Sequence, residues 1–225
     1  MSLHRSFTLD LQPNRLSDEG LPVKPFPVAI SSATSEYCMD TSTHKHEVLI
    51  GVGGGVAAYK TAALVSQLVQ EDIGVTVIMT PAAQQFIGAA TFAALTGREV
   101  AVDTFDAKYP LGAHITLANR AHLFCIAPAT ANILAKAAHG IADDLLSTVY
   151  LARTCPVLVA PAMNCEMWEK PAVARNVKQL QDDGVTIIGP DEGWLSCRRK
   201  GLGRMSSPEA IATAIHAALS SPHPT

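Results

Sequence analysis

From Val48 onward, short apolar runs alternate with longer segments in which apolar residues recur every three or four positions. The run VLIGV (48–52) is apolar and rich in β-branched residues, as a strand covered on both faces must be. GGG follows it, and then VAAYKTAALVSQLVQ, whose apolar positions fall at helical spacing. VTVIMT (75–80), HLFCIAP (122–128), CPVLVAP (155–161) and VTIIG (185–189) read as four further buried strands. Between them, TANILAKAAHG ends at a glycine, DDLLSTVYLAR opens on aspartates able to cap it, and PAVARNVKQLQDDG carries Pro171 in its first turn. PEAIATAIHAALS reads as a last helix. Strands alternating with helices predict the α/β class, a doubly wound parallel sheet covered on both faces. Residues 1–44, rich in Ser, Thr and Pro and without periodicity, are expected to be a disordered tail before a folded domain at 45–221.

Composition narrows the function classes. Of 225 residues, 48% are hydrophobic and only 16% charged, so a large core can be buried. The net charge of -3 gives no electrostatic basis for binding nucleic acid or an anionic membrane. Low charge on an apolar chain instead suggests that some apolar surface meets another subunit. The five cysteines (Cys38, Cys125, Cys155, Cys165, Cys197) include no CxxC pair, so neither a disulfide framework nor a metal site is expected. No stretch approaches the ~20 apolar residues of a membrane helix, and a reducing cytoplasm is the expected compartment.

In such a sheet, ligands bind beyond the carboxyl ends of the strands, and the chemistry-bearing residues gather there. GVGGGVAAYKT is a glycine turn that can bring backbone N–H groups to a phosphate at a helix N-terminus, although it matches neither GxGxxG nor the nucleotide P-loop. A tight turn without a ligand reads equally well from these residues. In PATAN, Thr130 and Asn132 can cap a helix or bind an anion. In PAMNCEMW, Asn164 presents a neutral amide with both a donor and an acceptor, suited to a carboxylate. DEGWLSCRRKGLGRM reads as a mobile loop, with Cys197 beside Arg198, Arg199, Lys200 and Arg204, and thus as a lid. In GAHITLA, His114 is the side chain most readily poised for proton transfer near neutral pH. His122 and His139 read as structural.

Taken in order, GGGVAAYK, GAHI, PATAN, GIADDLL, PAMNxxMW and GxLSCxxxGxGRM resemble the homo-oligomeric flavin-containing cysteine decarboxylases, over Val48 to Met205. The resemblance implies a flavodoxin-like or Rossmann-like three-layer sandwich, assembled as trimers or larger, with FMN between subunits and a small-molecule substrate. It places Gly54, Gly55, Val56, Thr80, Ala82, Thr130, Ala131, Asn132, Ile133 and Ala162 around FMN. It assigns catalysis to His114, Asn164 and Cys197, and substrate contacts to Asn164, Trp194, Ser196 and Met205. The implied reaction is decarboxylation of 4'-phospho-N-pantothenoylcysteine through thioaldehyde and enethiol intermediates, on the route to coenzyme A. Peptidyl-cysteine decarboxylases share the motifs, while flavin prenyltransferases and non-enzymatic FMN-binding regulators share the fold. Two departures stand out. The family loop often reads C-G-D where this chain has Cys197-Arg198-Arg199, added charge that suits a phosphorylated substrate. Ile133 also replaces a threonine or serine, so its side chain cannot hydrogen-bond a phosphate.

Overall fold

The computed structural model describes residues 44–221, so the expectation of a disordered tail falls almost wholly outside the described residues. The chain enters the sheet on β1 (Glu47–Val52) and turns through the glycines into α1 (Ala58–Gln70). After β2 (Gly74–Met79) come a short 3-10 turn at Ala83–Gln85, α2 (Ala89–Thr96) and α3 (Ala113–Arg120). Next are β3 (Leu123–Ala129), α4 (Ala131–His139), α5 (Leu145–Ala152), β4 (Val157–Pro161) and the four-residue α6 (Cys165–Trp168). Then follow α7 (Pro171–Asp182), β5 (Thr186–Ile187), β6 (Asp191–Trp194), β7 (Lys200–Arg204) and α8 (Pro208–Ser220).

The five-stranded sheet has the order β2-β1-β3-β4-β5, and every neighbouring pair is parallel. This is the doubly wound flavodoxin-like arrangement expected of the alternating pattern. Alternation along each strand divides the core. Val48, Ile50 and Val52 point to one face, where α1, α2 and α8 cover them through Leu64, Leu68, Phe92, Ile211 and Ile215. Leu49, Phe124, Ile126 and Val159 point to the other, packed under α3, α4, α5 and α7 through Leu117, Leu134, Leu146 and Leu180.

The caps follow from local chemistry. Thr130 accepts from the Ile133 amide to start α4, and Gly140 ends that helix at φ 67°. Asp144 and Ser147 form a capping box on α5. Several elements differ from the sequence reading, α2 and α6 among them, since neither was foreseen. Residues 113–120, read only for His114, form a helix, and the fifth strand shrinks from VTIIG to two residues. DEGWLSCRRKGLGRM is an antiparallel hairpin, β6 with β7, where a loop was expected.

The reversal of strand order between β1 and β3 opens a crevice at their carboxyl ends. There the Gly53 amide donates to the Pro128 carbonyl at 3.1 Å, holding the first and third strand-to-helix turns side by side.

Candidate active site

A cavity of about 630 Å³ opens at this crevice, within the range of about 300–1,000 Å³ usual for cofactor and small-molecule sites. Three walls enclose it: the glycine turn with the start of α1, the start of α4, and the Ala162–Asn164 segment facing the hairpin.

The glycines of the first wall differ in what they do. A Cβ at Gly53 would lie 2.4 Å from the Pro128 carbonyl oxygen, and one at Gly54 would lie 2.4 Å from the Ala82 Cβ, so both are demanded by packing. A Cβ at Gly55 would meet only Thr130 Cγ2, at 3.6 Å. Gly55 therefore keeps a face of the cavity open. The amides of Gly54, Gly55, Val56 and Ala57 donate to no acceptor among the described residues, and α1 has no side-chain cap. Such a helix end is electropositive and undersatisfied.

At the second wall, Thr130 Oγ1 and carbonyl take the Ile133 and Leu134 amides, leaving those of Ala131 and Asn132 for a ligand. Ile133 itself is 5% exposed, and its Cδ1 lies 2.5 Å from where a Gly53 Cβ would stand. Its side chain therefore supports the glycine turn from beneath. Thr80 is also buried: its hydroxyl donates to the Val52 carbonyl and accepts from the Ala83 amide. Ala82 buttresses Gly54. Thr80, Ala82, Asn132 and Ile133 do not line the cavity, whereas Gly54, Gly55, Val56, Thr130, Ala131 and Ala162 do.

The third wall carries Asn164, Trp194, Ser196 and Met205, all lining residues. Sequence reading gave the Asn164 amide a free donor and a free acceptor, and the structure corrects this. Asn164 is the N-cap of α6, and its Oδ1 accepts from the Glu166 amide at 2.7 Å. Its NH₂ group is what remains, a donor oriented by the cap and suited to a carboxylate. A further glycine, Gly203, seats the hairpin on this segment. The Met163 amide donates to the Gly203 carbonyl at 2.9 Å, and a Cβ at Gly203 would fall 2.3 Å from the Met163 carbonyl.

The cations in the cavity wall are Lys60 and Arg204, neither chosen as a site residue from sequence. Lys60 Nζ donates to the Met205 carbonyl at 3.1 Å. Burial, then the nearby Arg204, hold its pKa below the ordinary lysine value. Their signal in the sequence was position: Lys60 lies one turn into the helix after the glycines, and Arg204 just before Met205. The basic run of the hairpin is partly spent, since Arg199 pairs with Glu166 and Lys200 with Glu192 at 3.7 Å.

His114 and Cys197 lie outside this wall. His114 sits in the first turn of α3, after Gly112 at φ 93°, and its Nδ1 is buried with no hydrogen-bond partner. Cys197 is exposed at the hairpin tip. The tip is a three-residue loop, Ser196 to Arg198, closed by Arg198 N–H to the Leu195 carbonyl and Leu195 N–H to the Arg199 carbonyl, both 2.9 Å. Arg198 takes the left-handed position of this loop at φ 61°, a place glycine would favour. Cys125, by contrast, is inert: burial in β3 pushes its thiol up to about 12. No cluster suited to a metal ion occurs among the described residues.

Unsatisfied amides at two adjoining helix ends, an open face at Gly55 and an apolar wall at Ala162 and Met163 fit a phosphate-bearing planar cofactor. The sequence profile of the flavoprotein family matches residues 36–220. The chain belongs to the flavoprotein family. Among its relatives, the coenzyme A biosynthesis bifunctional protein CoaBC of Bacillus subtilis is 48% identical over 169 residues, 75% of this chain and 42% of that protein. CoaBC of Mycobacterium tuberculosis is 46% identical over 167 residues, 74% of this chain and 40% of that protein. The chain thus spans about two fifths of the length of these curated relatives. Among solved flavoproteins, the FMN-dependent cysteine decarboxylase SpaF is 39% identical with a TM-score of 0.68, covering 79% of this chain and 99% of SpaF. A cysteine-to-serine mutant of PPC decarboxylase, complexed with pantothenoylaminoethenethiol, is 31% identical with a TM-score of 0.71, covering 79% of this chain and all of that one (100%). These neighbours agree with the flavin-containing cysteine decarboxylase motifs read from the sequence.

Proposed function

We propose that this chain is an FMN-dependent decarboxylase acting on 4'-phospho-N-pantothenoylcysteine to give 4'-phosphopantetheine, in coenzyme A biosynthesis. The observation that carries this reading is the single cavity where two phosphate-ready helix ends, the capped Asn164 amide and the hairpin converge. The CoaBC relatives favour the phosphorylated substrate, and Lys60 and Arg204 in the cavity wall suit its phosphate.

Gly54 to Ala57 and Ala131 to Asn132 would hold the FMN phosphate through backbone N–H groups, with Ala162 against the ring. FMN, when bound, would supply reversible two-electron oxidation at the substrate thiol, which provides the electron sink β to the carboxylate that decarboxylation needs. Asn164 holds the carboxylate through its NH₂ group without neutralising it, because its oxygen is fixed by the α6 cap. Trp194, Ser196 and Met205 cover the substrate and exclude water. Cys197, at the tip of the closing hairpin, delivers the proton that the enethiolate needs before reduction.

His114 would complete the site from a neighbouring subunit. Its orphaned ring nitrogen, the exposed Leu111 and Ile115 beside it in the chain, 77% and 42% accessible, and the exposed Phe105, at 90%, support a homotrimer or larger assembly. The four described cysteines are free, which fits work in the cytoplasm. No helix among the described residues is long and apolar enough to cross a membrane.

The test is the purified protein itself. It should be yellow, with an FMN spectrum, and should release carbon dioxide from phosphopantothenoylcysteine faster than from a Cys-terminated peptide. Cys197→Ser should keep the colour and accumulate the oxidised enethiol in place of the saturated thiol. A colourless protein that takes up no FMN overturns the reading, and a preference for the peptide moves it to peptide maturation.

A further inference from the structure

The hairpin is fastened at its base and crossed at its tip by a contact the reaction as described does not use. Gly203 seats β7 on the Met163 carbonyl, and a Cβ at Gly201 would fall 2.9 Å from the Cys165 Cβ, so the strand lies directly on the start of α6 and the residues before it. Beyond Gly201 the turn is anchored by the buried Leu195 and ends in the exposed Cys197. There the Arg199 guanidinium, next to the left-handed Arg198, reaches across and ion-pairs with the Glu166 carboxylate.

Glu166 is placed to make this contact matter. Its backbone amide donates to Asn164 Oδ1 at 2.7 Å, while its side chain receives Arg199. One residue therefore joins the carboxylate-binding amide to the lid tip, on a helix of only four residues. The pair is also close to both neighbouring thiols. Glu166 holds Arg199 above its ordinary pKa, with Cys165 and Cys197 adding to the effect.

We propose that Arg199 and Glu166 form a latch that sets the Cys197 tip in register with the Asn164 amide, making Arg199 a positioning residue for proton delivery to the enethiolate. The inference rests on the decarboxylase reading above. An ion pair with side chains 61% and 60% exposed adds little to folding stability. Its effect lies in orientation, where a displacement of about 1 Å can cost on the order of a hundredfold in rate. The substrate reaches the enethiolate in either case. With the latch closed, the Cys197 proton and the stored electrons give the saturated thiol; with it open, the enethiol leaves oxidised and the flavin stays reduced until an external oxidant, dioxygen in an aerobic assay, reoxidises it.

The experiment compares the FMN-loaded full chain with Arg199→Ala, Arg199→Lys, Glu166→Gln and the swapped pair Arg199→Glu with Glu166→Arg. Product partition is read by mass spectrometry, and hydrogen exchange is followed in the amides of residues 195–200. Arg199→Ala and Glu166→Gln should retain FMN and the melting temperature, raise the enethiol share at least threefold and speed exchange at the tip. Arg199→Lys should recover part of the partition and the swapped pair most of it. Unchanged partition and exchange in Arg199→Ala and Glu166→Gln, with a wild type that turns over, overturn the latch and leave the decarboxylase standing. A wild type that binds FMN but releases no carbon dioxide defeats the decarboxylase reading. In that case unchanged tip exchange in Glu166→Gln defeats the latch as well, and faster exchange upholds the contact between tip and α6.

Discussion

At the scale of single residues, apparently equivalent positions carry different loads. Gly53, Gly54 and Gly55 are indistinguishable in sequence, yet backbone crowds the first, the Ala82 turn crowds the second, and the third faces open space. Gly53→Ala should destabilise the fold by about 2 kcal/mol, since the new methyl would fall 2.4 Å from the Pro128 carbonyl oxygen and 2.5 Å from the buried Ile133 Cδ1. Gly55→Ala should fold with unchanged stability and bind FMN at least tenfold more weakly. Thermal melts and FMN titrations of the two variants check this, and equal loss of stability in both would refute the assignment. Ile133 makes the same point in reverse. Its departure from the hydroxyl-bearing family form looked like a lost phosphate contact, but the side chain is buried beneath the glycine turn, while Thr130 carries the capping oxygen.

Among the elements, the hairpin departs furthest from what its sequence suggested. Its glycines signalled mobility, but Gly201 and Gly203 are there so that β7 can lie against Cys165 and Met163. The basic run signalled a cationic lid, but two of its three members are spent in ion pairs. The third, Arg198, occupies a left-handed position, which costs a residue with a Cβ roughly 1–2 kcal/mol. Arg198→Gly should relieve that cost and slow amide exchange in the tip about fivefold, as expected of roughly 1 kcal/mol. Faster exchange at residues 195–199 would show that the arginine side chain holds the turn. The α3 helix was missed for a different reason: it is eight residues long and buries only Ala113, Leu117 and Ala118, in the same core cluster as residues of α5, so its apolar pattern is too short to stand out.

For the whole molecule, a largely buried ion pair at the end of the sheet opposite the cavity should make stability depend on acid. There Glu47 opens β1 opposite Gly74, whose missing side chain makes room for it, and Arg98 clamps the carboxylate at 2.7 and 3.0 Å. Burial pushes the Glu47 pKa up, but the Arg98 hydrogen bonds and charge, with Arg120, pull it below the ordinary value of 4.5. A depressed carboxyl pKa contributes stability that is complete above the unfolded value and lost as pH falls through the folded one. Stability should therefore hold above pH 4.5 and decline below it. Arg98→Ala should cost about 3 kcal/mol at neutral pH and move acid unfolding to higher pH. Denaturant melts across pH 3–7, an assay window of about four units around that value, will show this; identical acid limits in variant and wild type would remove Glu47 from the account.

The sequence by itself determined the alternation of strands and helices, their parallel pairing and the turns where ligands collect. Burial leaves a local imprint with periods of two and 3.6 residues, and the order of the motifs named the family. Tertiary structure decided which of those turn residues meet. The lining of the cavity, the single free group of Asn164, the arrival of Lys60 and Arg204, and the ion pair from Arg199 to Glu166 all depend on contacts between residues far apart in the chain. A side chain's chemistry is what its partners leave unsatisfied, and those partners are chosen by the fold.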